Sequence, residues 1–98
     1  MKIIKGSKLY VRIDFPADDS EHDDQTYEDC LSYLKKQARE RFFTAGTFSD
    51  STPAAMCLYT AENLEEAHDI ARNDPIIARG PYRYELYEWN IMISSERE

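Results

Sequence analysis

Leu9, Val11, Ile13 and Phe15 alternate with Tyr10, Arg12 and Asp14. A period of two is that of a half-buried strand, and Pro16, which has no backbone donor, closes it. The polar, self-repelling stretch ADDSEHDD predicts an exposed acidic loop over about 16–25, leading into a helix capped by Asp24 or Thr26. Tyr27, Leu31, Leu34 and Ala38 then recur at helical spacing with Cys30 on the flank of the stripe, and Lys35, Lys36, Arg39 and Arg41 follow toward the far end. Such a pattern is an amphipathic helix of about four turns, its bases placed where the helix dipole favours them.

RFFTAGTF and AAMCLYT read as two antiparallel strands joined by the polar, Pro-containing SDSTP. Asn63 followed three residues later by Glu66 forms a reciprocal cap, and Leu64, Ala67, Ile70 and Ala71 supply the apolar side of a second helix, which Asp74-Pro75 ends. After Gly80-Pro81 the run YRYELYEWNIM is rich in strand formers, and the end, about 94–98, reads as a frayed tail. The order strand, helix, strand, strand, helix, strand predicts one α+β domain over 1–98, a ferredoxin-like βαββαβ sandwich with two helices on one face of an antiparallel sheet. The expected open face carries Tyr10, Arg12 and part of the set Tyr82, Tyr84, Tyr87 and Trp89, with a second subunit over it.

Twelve bases against 19 acids leave a net charge of −7, which disfavours nucleic acid and anionic membranes as partners. Eight of those acids fall between Asp14 and Asp29 without a Lys or Arg among them, so the rest of the chain is nearly neutral. No apolar run approaches the roughly 18 residues of a membrane span, and the first residues interrupt their apolar positions with charge too often for a signal peptide. A cytoplasmic protein is expected. Cys30 and Cys57 have neither CxxC spacing nor a disulfide-rich context, which predicts two reduced thiols and no structural zinc. The three glycines make no phosphate-binding pattern, the acidic run lacks the alternation and glycine of an EF-hand, and neither a cofactor nor a metal is expected.

Three segments in order, CLSYLKKQ, FFTAGTF and LEEAHDIARNDP with ELYEW after it, resemble the YciI-like (YCII-related) family from about Leu9 to Trp89. The resemblance implies a small cytoplasmic dimer related to the dimeric α+β barrels, with a suspected His and Asp pair as catalytic centre. The family's Asp falls on Asp74. Its His precedes a Leu-x-Tyr-Leu stretch, and here Cys30 stands before Leu31-Ser32-Tyr33-Leu34. An imidazole exchanges protons near neutrality whereas an unperturbed thiol titrates near 8.5, so the departure replaces acid–base chemistry with a nucleophile or with nothing.

Asp74 is the leading catalytic candidate, as an acid expected at the unfavourable C-terminal end of a helix; its other reading is a turn former before Pro75. Cys30 is either its altered partner or a small buried hydrophobe. Arg12 and Tyr10 are candidates for substrate binding, Arg12 alternatively pairing across a dimer interface with Glu85 or Glu88. His22 either folds back toward Asp74 in place of the missing imidazole or sits in water, while His68 is read as a helix-edge residue and Cys57 as structural. Two functions lead, a cofactor-independent lyase or isomerase acting on a small organic molecule and a non-enzymatic binding or interaction module on the same dimer scaffold; a metal-assisted enzyme using the acidic loop is a third.

Overall fold

The fold is given by a computed structural model that describes residues 8–17, 23–50 and 52–95. Strand β1 spans Lys8–Pro16, helix α1 Asp24–Glu40, strands β2 and β3 Phe43–Thr47 and Ala55–Tyr59, helix α2 Leu64–Arg72, the single turn α3 Pro75–Ala78, and strand β4 Tyr82–Asn90. The four strands form one antiparallel sheet in the order β2-β3-β1-β4, the ferredoxin-like arrangement. His22, with most of the acidic loop, and the last residues of the tail lie outside the described residues.

Helix ends follow their local chemistry. The start of α1 is capped by Asp23, one residue before the expected Asp24: its side chain accepts from the Thr26 amide at 2.8 Å, which leaves Asp24 and Thr26 inside the helix. The Asn63 and Glu66 box forms as predicted, with Asn63 Oδ1 accepting from the Glu66 amide at 2.8 Å and Glu66 Oε1 from the Glu62 amide at 2.9 Å. Gly80, at φ 98°, turns the chain from α3 into β4 in a conformation that a side chain would strain.

The sheet is inverted relative to the expectation from hydropathy. Tyr10, Arg12 and Asp14 lie on the helix-covered face and are nearly inaccessible, whereas Val11, Ile13 and Phe15 are only half-buried. The register across β1 places Trp89 beside Leu9, Tyr87 beside Val11 and Met56 beside Ile13, so these share the face away from the helices, which is open except at the buried Leu9. The cation on that face is Arg83, whose guanidinium lies 4.6 Å from the Phe15 ring centroid, and not Arg12. Neutralisation permits the inversion, because Arg12 meets carboxylates beneath the helices.

The core between sheet and helices is Tyr10, Cys57, Tyr59, Ala67 and Ile70, with Leu34, Phe43, Ala61 and Leu86 packed against it. Tyr59 stacks on Phe43 at a centroid distance of 5.2 Å and donates its hydroxyl hydrogen to the Ala67 carbonyl at 2.6 Å, so the aromatic body is buried with its polar end satisfied. Tyr33 makes the equivalent tie from α1 to the Ile70 carbonyl, at 2.7 Å. The buried stripe of α1 runs through Thr26, Cys30 and Gln37, offset by about one position from the stripe predicted through Tyr27 and Leu31, which stay partly exposed. Cys30 is thereby brought from the flank to the centre of the helix contact.

Candidate functional site

The end of β1 and the turn into α3 bring three charges together. Residues 12 and 14 share one side of the strand, and their side chains meet side by side: Arg12 Nε donates to Asp14 Oδ1 and Nη2 to Asp14 Oδ2, each at 2.8 Å. Nη2 also donates to Asp74 Oδ2 at 2.9 Å, joining the strand to a residue 62 positions away. Asp74 is fully buried, and Arg12 and Asp14 are nearly so. The spatial company of Asp74 differs from the sequence-based expectation. It is the N-cap of α3 and not a helix C-terminus, with Oδ1 accepting from the Ile76 amide at 3.0 Å and Pro75 in the first helical position, where a missing N–H costs nothing.

Cys30 completes the group from the α1 side, its Sγ 3.5 Å from Asp74 Oδ2 as thiol donor to carboxylate. Its position is held by Arg79, just past α3, which donates to Thr26 Oγ1 at 3.1 Å and pairs with Asp29 Oδ2 at 2.8 Å, so that α1 is tied to α3 one turn before Cys30. Burial pushes the Cys30 thiol well above its ordinary range, and the negative charge and hydrogen bond of Asp74 push it further. Cys57, on the neighbouring strand, is pushed up to about 12 by burial. Both thiols are therefore neutral at physiological pH, and neither is an activated nucleophile in this arrangement.

Burial also raises the Asp14 carboxyl, against the opposing pull of Arg12. For Arg12 burial disfavours the charge, but hydrogen bonding to Asp14 and the negative charges of Asp14 and Asp74 more than compensate and raise its pKa. One deficit remains: Arg12 Nη1 is buried with no hydrogen-bond partner among the described residues. Leaving a buried donor unpaired costs about 1–3 kcal/mol, and more for a charged group.

Beside this cluster lies a cavity of about 150 Å³. Tyr27, Cys30, Leu31 and Leu34 line it from α1, Arg12, Asp14, Cys57 and Ala45 from the sheet, and Asp74, Ile76 and Tyr82 from the α3–β4 side. The walls are mostly apolar. A cavity of that size accommodates about one benzene-sized ring. Among the described residues no group of His, Cys, Asp and Glu is arranged to hold a metal ion, and no helix is long and apolar enough to cross a membrane.

Of the residues singled out in the sequence, Asp74, Cys30 and Arg12 converge at this cavity. Tyr10 belongs to the core cluster instead, because it faces the helices and not the open side of the sheet. Arg12 is likewise absent from the open face, where a pairing with Glu85 or Glu88 had been expected. His68 keeps its place at the helix edge, with Nδ1 2.8 Å from the Tyr84 hydroxyl. Asp14 was not anticipated as a site residue. Its signal was present, since Arg12 and Asp14 are two apart on one strand and necessarily lie on the same face.

Comparison with known proteins places this geometry in context. The YCII-related domain model matches residues 8–90. The uncharacterised protein YjpA of Bacillus subtilis (strain 168) is 38% identical over 55 residues, 56% of this chain and 64% of that protein, so the match spans slightly less than two thirds of the relative's length. Among solved structures, 5-chloro-2-hydroxyhydroquinone dehydrochlorinase (TftG) from Burkholderia phenoliruptrix AC1100, in complex with 2,5-dihydroxybenzoquinone, is similar with a TM-score of 0.64 and 20% identity, over 84% of this chain and 93% of that one. At that identity the likeness concerns the fold.

Proposed function

The chain belongs to the YCII-related domain family, and we propose that it binds a small organic molecule of about one ring in the cavity beside Asp74 and performs cofactor-independent proton transfer on it, of lyase or isomerase type. The observation that carries this reading is the buried Arg12, Asp14 and Asp74 cluster facing an apolar cavity. Ion clusters of this kind are weak contributors to stability, because desolvation offsets their attraction, and they are common where chemistry needs them. In the proposed reaction Asp74 Oδ2 takes the substrate proton once Cys30 swings its S–H aside. Arg12 holds the carboxylate in place and offsets its charge, and the apolar walls exclude water.

The structurally similar dehydrochlorinase supports the size and type of the substrate, since its bound ligand is a single oxygenated ring and its name describes an elimination. We assign the uncovered sheet face, with Val11, Ile13, Leu58, Tyr87 and Trp89, to a second copy of the chain, and the two free thiols fit a cytoplasmic setting. The experiment is deuterium incorporation from D₂O into a panel of cyclic ketones, followed by proton NMR with wild-type protein and Asp74→Asn. Exchange by the wild type that the variant loses supports the reading; equal exchange by both overturns it.

One observation favours the non-enzymatic alternative. The Asp74 oxygens already accept from Arg12, the Ile76 amide and Cys30, and the Cys30 thiol is neutral, so no group is free to accept a proton until one of these bonds opens. Ring compounds that bind at the cavity without any exchange would establish binding as the function.

A further inference from the structure

The unpaired nitrogen of Arg12 bears on what the cavity takes, and the following rests on the small-molecule reading above. A guanidinium carries five N–H donors in a fixed plane. Nε spends one on Asp14, and Nη2 spends its two on Asp14 and Asp74. The two that remain are both on Nη1, which has no acceptor among the described residues; it is covered by its neighbours on a residue that lines the cavity, so a ligand oxygen reaches it by a small displacement of the wall. The plane of the group is fixed by its side-on contact with Asp14, so Nη1 cannot rotate away to find an acceptor without breaking that pair.

The charge beside this donor is the second constraint. One guanidinium is matched by two carboxyl groups, and burial pushes that of Asp14 toward its neutral form. With both ionised the cluster sums to −1, and with Asp14 protonated it sums to zero; neither state is positive. The other cavity-lining groups that ionise, the thiols of Cys30 and Cys57 and the phenols of Tyr27 and Tyr82, are neutral acids that never carry positive charge. An anion entering the cavity would lose its hydration and meet no net positive charge in return, while an uncharged oxygen loses much less and still accepts from Nη1.

We propose that the cavity selects an uncharged molecule of about one ring through a carbonyl-type oxygen that accepts a hydrogen bond from Arg12 Nη1, and rejects a carboxylate of the same shape. Arg12 is on this account the residue that sets specificity, reading an oxygen without attracting a charge. The familiar role of a buried arginine as an anion clamp is cancelled here by its two acidic partners.

The test uses the wild-type protein and three probes of matched shape: benzaldehyde, benzoate and toluene, titrated at pH 7 and followed by protein-observed NMR at cavity residues. Benzaldehyde is expected to bind at least tenfold more tightly than either of the others and to shift the Arg12 side-chain nitrogens. Benzoate binding as tightly as benzaldehyde would overturn the inference by showing that the cluster acts as a cation. Toluene equalling benzaldehyde would overturn it by showing that the oxygen is not read, and in both cases the small-molecule reading survives. If none of the three shifts a cavity residue, the small-molecule reading falls with the inference.

Discussion

Replacing Arg12 by Met tests the cluster most directly, because the substitution keeps an unbranched apolar stem and deletes only the charge and its donors. Three hydrogen bonds of 2.8 to 2.9 Å disappear, and two carboxyl groups that are at most 3% exposed lose their cation. Breaking a buried pair by removing one partner costs about 3–5 kcal/mol, and two orphaned acids put this variant toward the upper end. A domain of this length has a total stability of roughly 5–15 kcal/mol, so the loss is a large fraction of the whole. Each kcal/mol shifts the melting temperature of such a domain by about 4–8 °C, which predicts a fall of at least 12 °C or so. Urea unfolding followed by circular dichroism gives the number, with the slope against denaturant expected to stay unchanged. The companion variant Arg12→Met, Asp14→Leu, Asp74→Asn removes all three charges while Asn keeps the α3 cap, and it should regain most of the lost stability, since an apolar substitute for a buried ion cluster is often neutral or better. A single variant within about 1 kcal/mol of wild type, or a triple variant no more stable than the single, would refute the reasoning.

Three further outcomes are expected. Cys30 and Cys57 should both resist iodoacetamide at pH 7.5 in the native protein and react once urea unfolds it, because burial raises both thiols; mass spectrometry showing rapid native labelling of Cys30 would contradict this. The raised carboxyl of Asp14 favours its protonated form in the folded state, so its contribution to stability is complete below the unfolded value near 3.9 and is lost as pH rises through the higher native value. The stability of wild type relative to Asp14→Asn, measured by urea unfolding between pH 3.5 and 7, should therefore fall with rising pH, and a rise would reverse the assigned sign. Light scattering should give twice the 11.5 kDa of one chain, and Trp89→Glu, which places a charge on a side chain that is 50% exposed on the open face, should give the monomer with its fold retained.

The four strands and the two longer helices were legible in type and order because each rests on a local signal: alternation in 9–15, the Asn63 and Glu66 box, the SDSTP connection. What hydropathy misread was which side of β1 faces the helices. A period of two identifies two faces and labels the more polar one as solvated, but that label presumes each polar group is hydrated singly. Arg12 and Asp14 violate the presumption together, since each supplies what the other needs out of water. The same presumption hid the role of Cys30, which the apolar stripe put on the flank although the buried line runs through Thr26, Cys30 and Gln37. For Asp74 the boundary rule before proline correctly ended α2 but could not show that a further turn begins at Pro75, and so it reversed the sign of the dipole at that residue.

These misreadings share a consequence for the chemistry. The resemblance implies a histidine where this chain has Cys30, and on that expectation the sequence alone leaves Asp74 without a cationic partner. The partner exists, but it comes from the sheet: Arg12 reaches Asp74 at 2.9 Å, across from the thiol at 3.5 Å. An imidazole gains and loses its charge near neutral pH, whereas a guanidinium keeps it throughout. With Arg12 as its cation and no histidine among the described residues that line it, the site has a permanent charge that can only hold and orient. In the proposed reaction the proton moves on Asp74, the carboxylate in contact with the thiol. Turnover then depends on how readily its Oδ2 exchanges the Cys30 hydrogen bond for one to a ligand, and the side chain at position 30 sets the rate of the proposed reaction without forming a bond to its substrate.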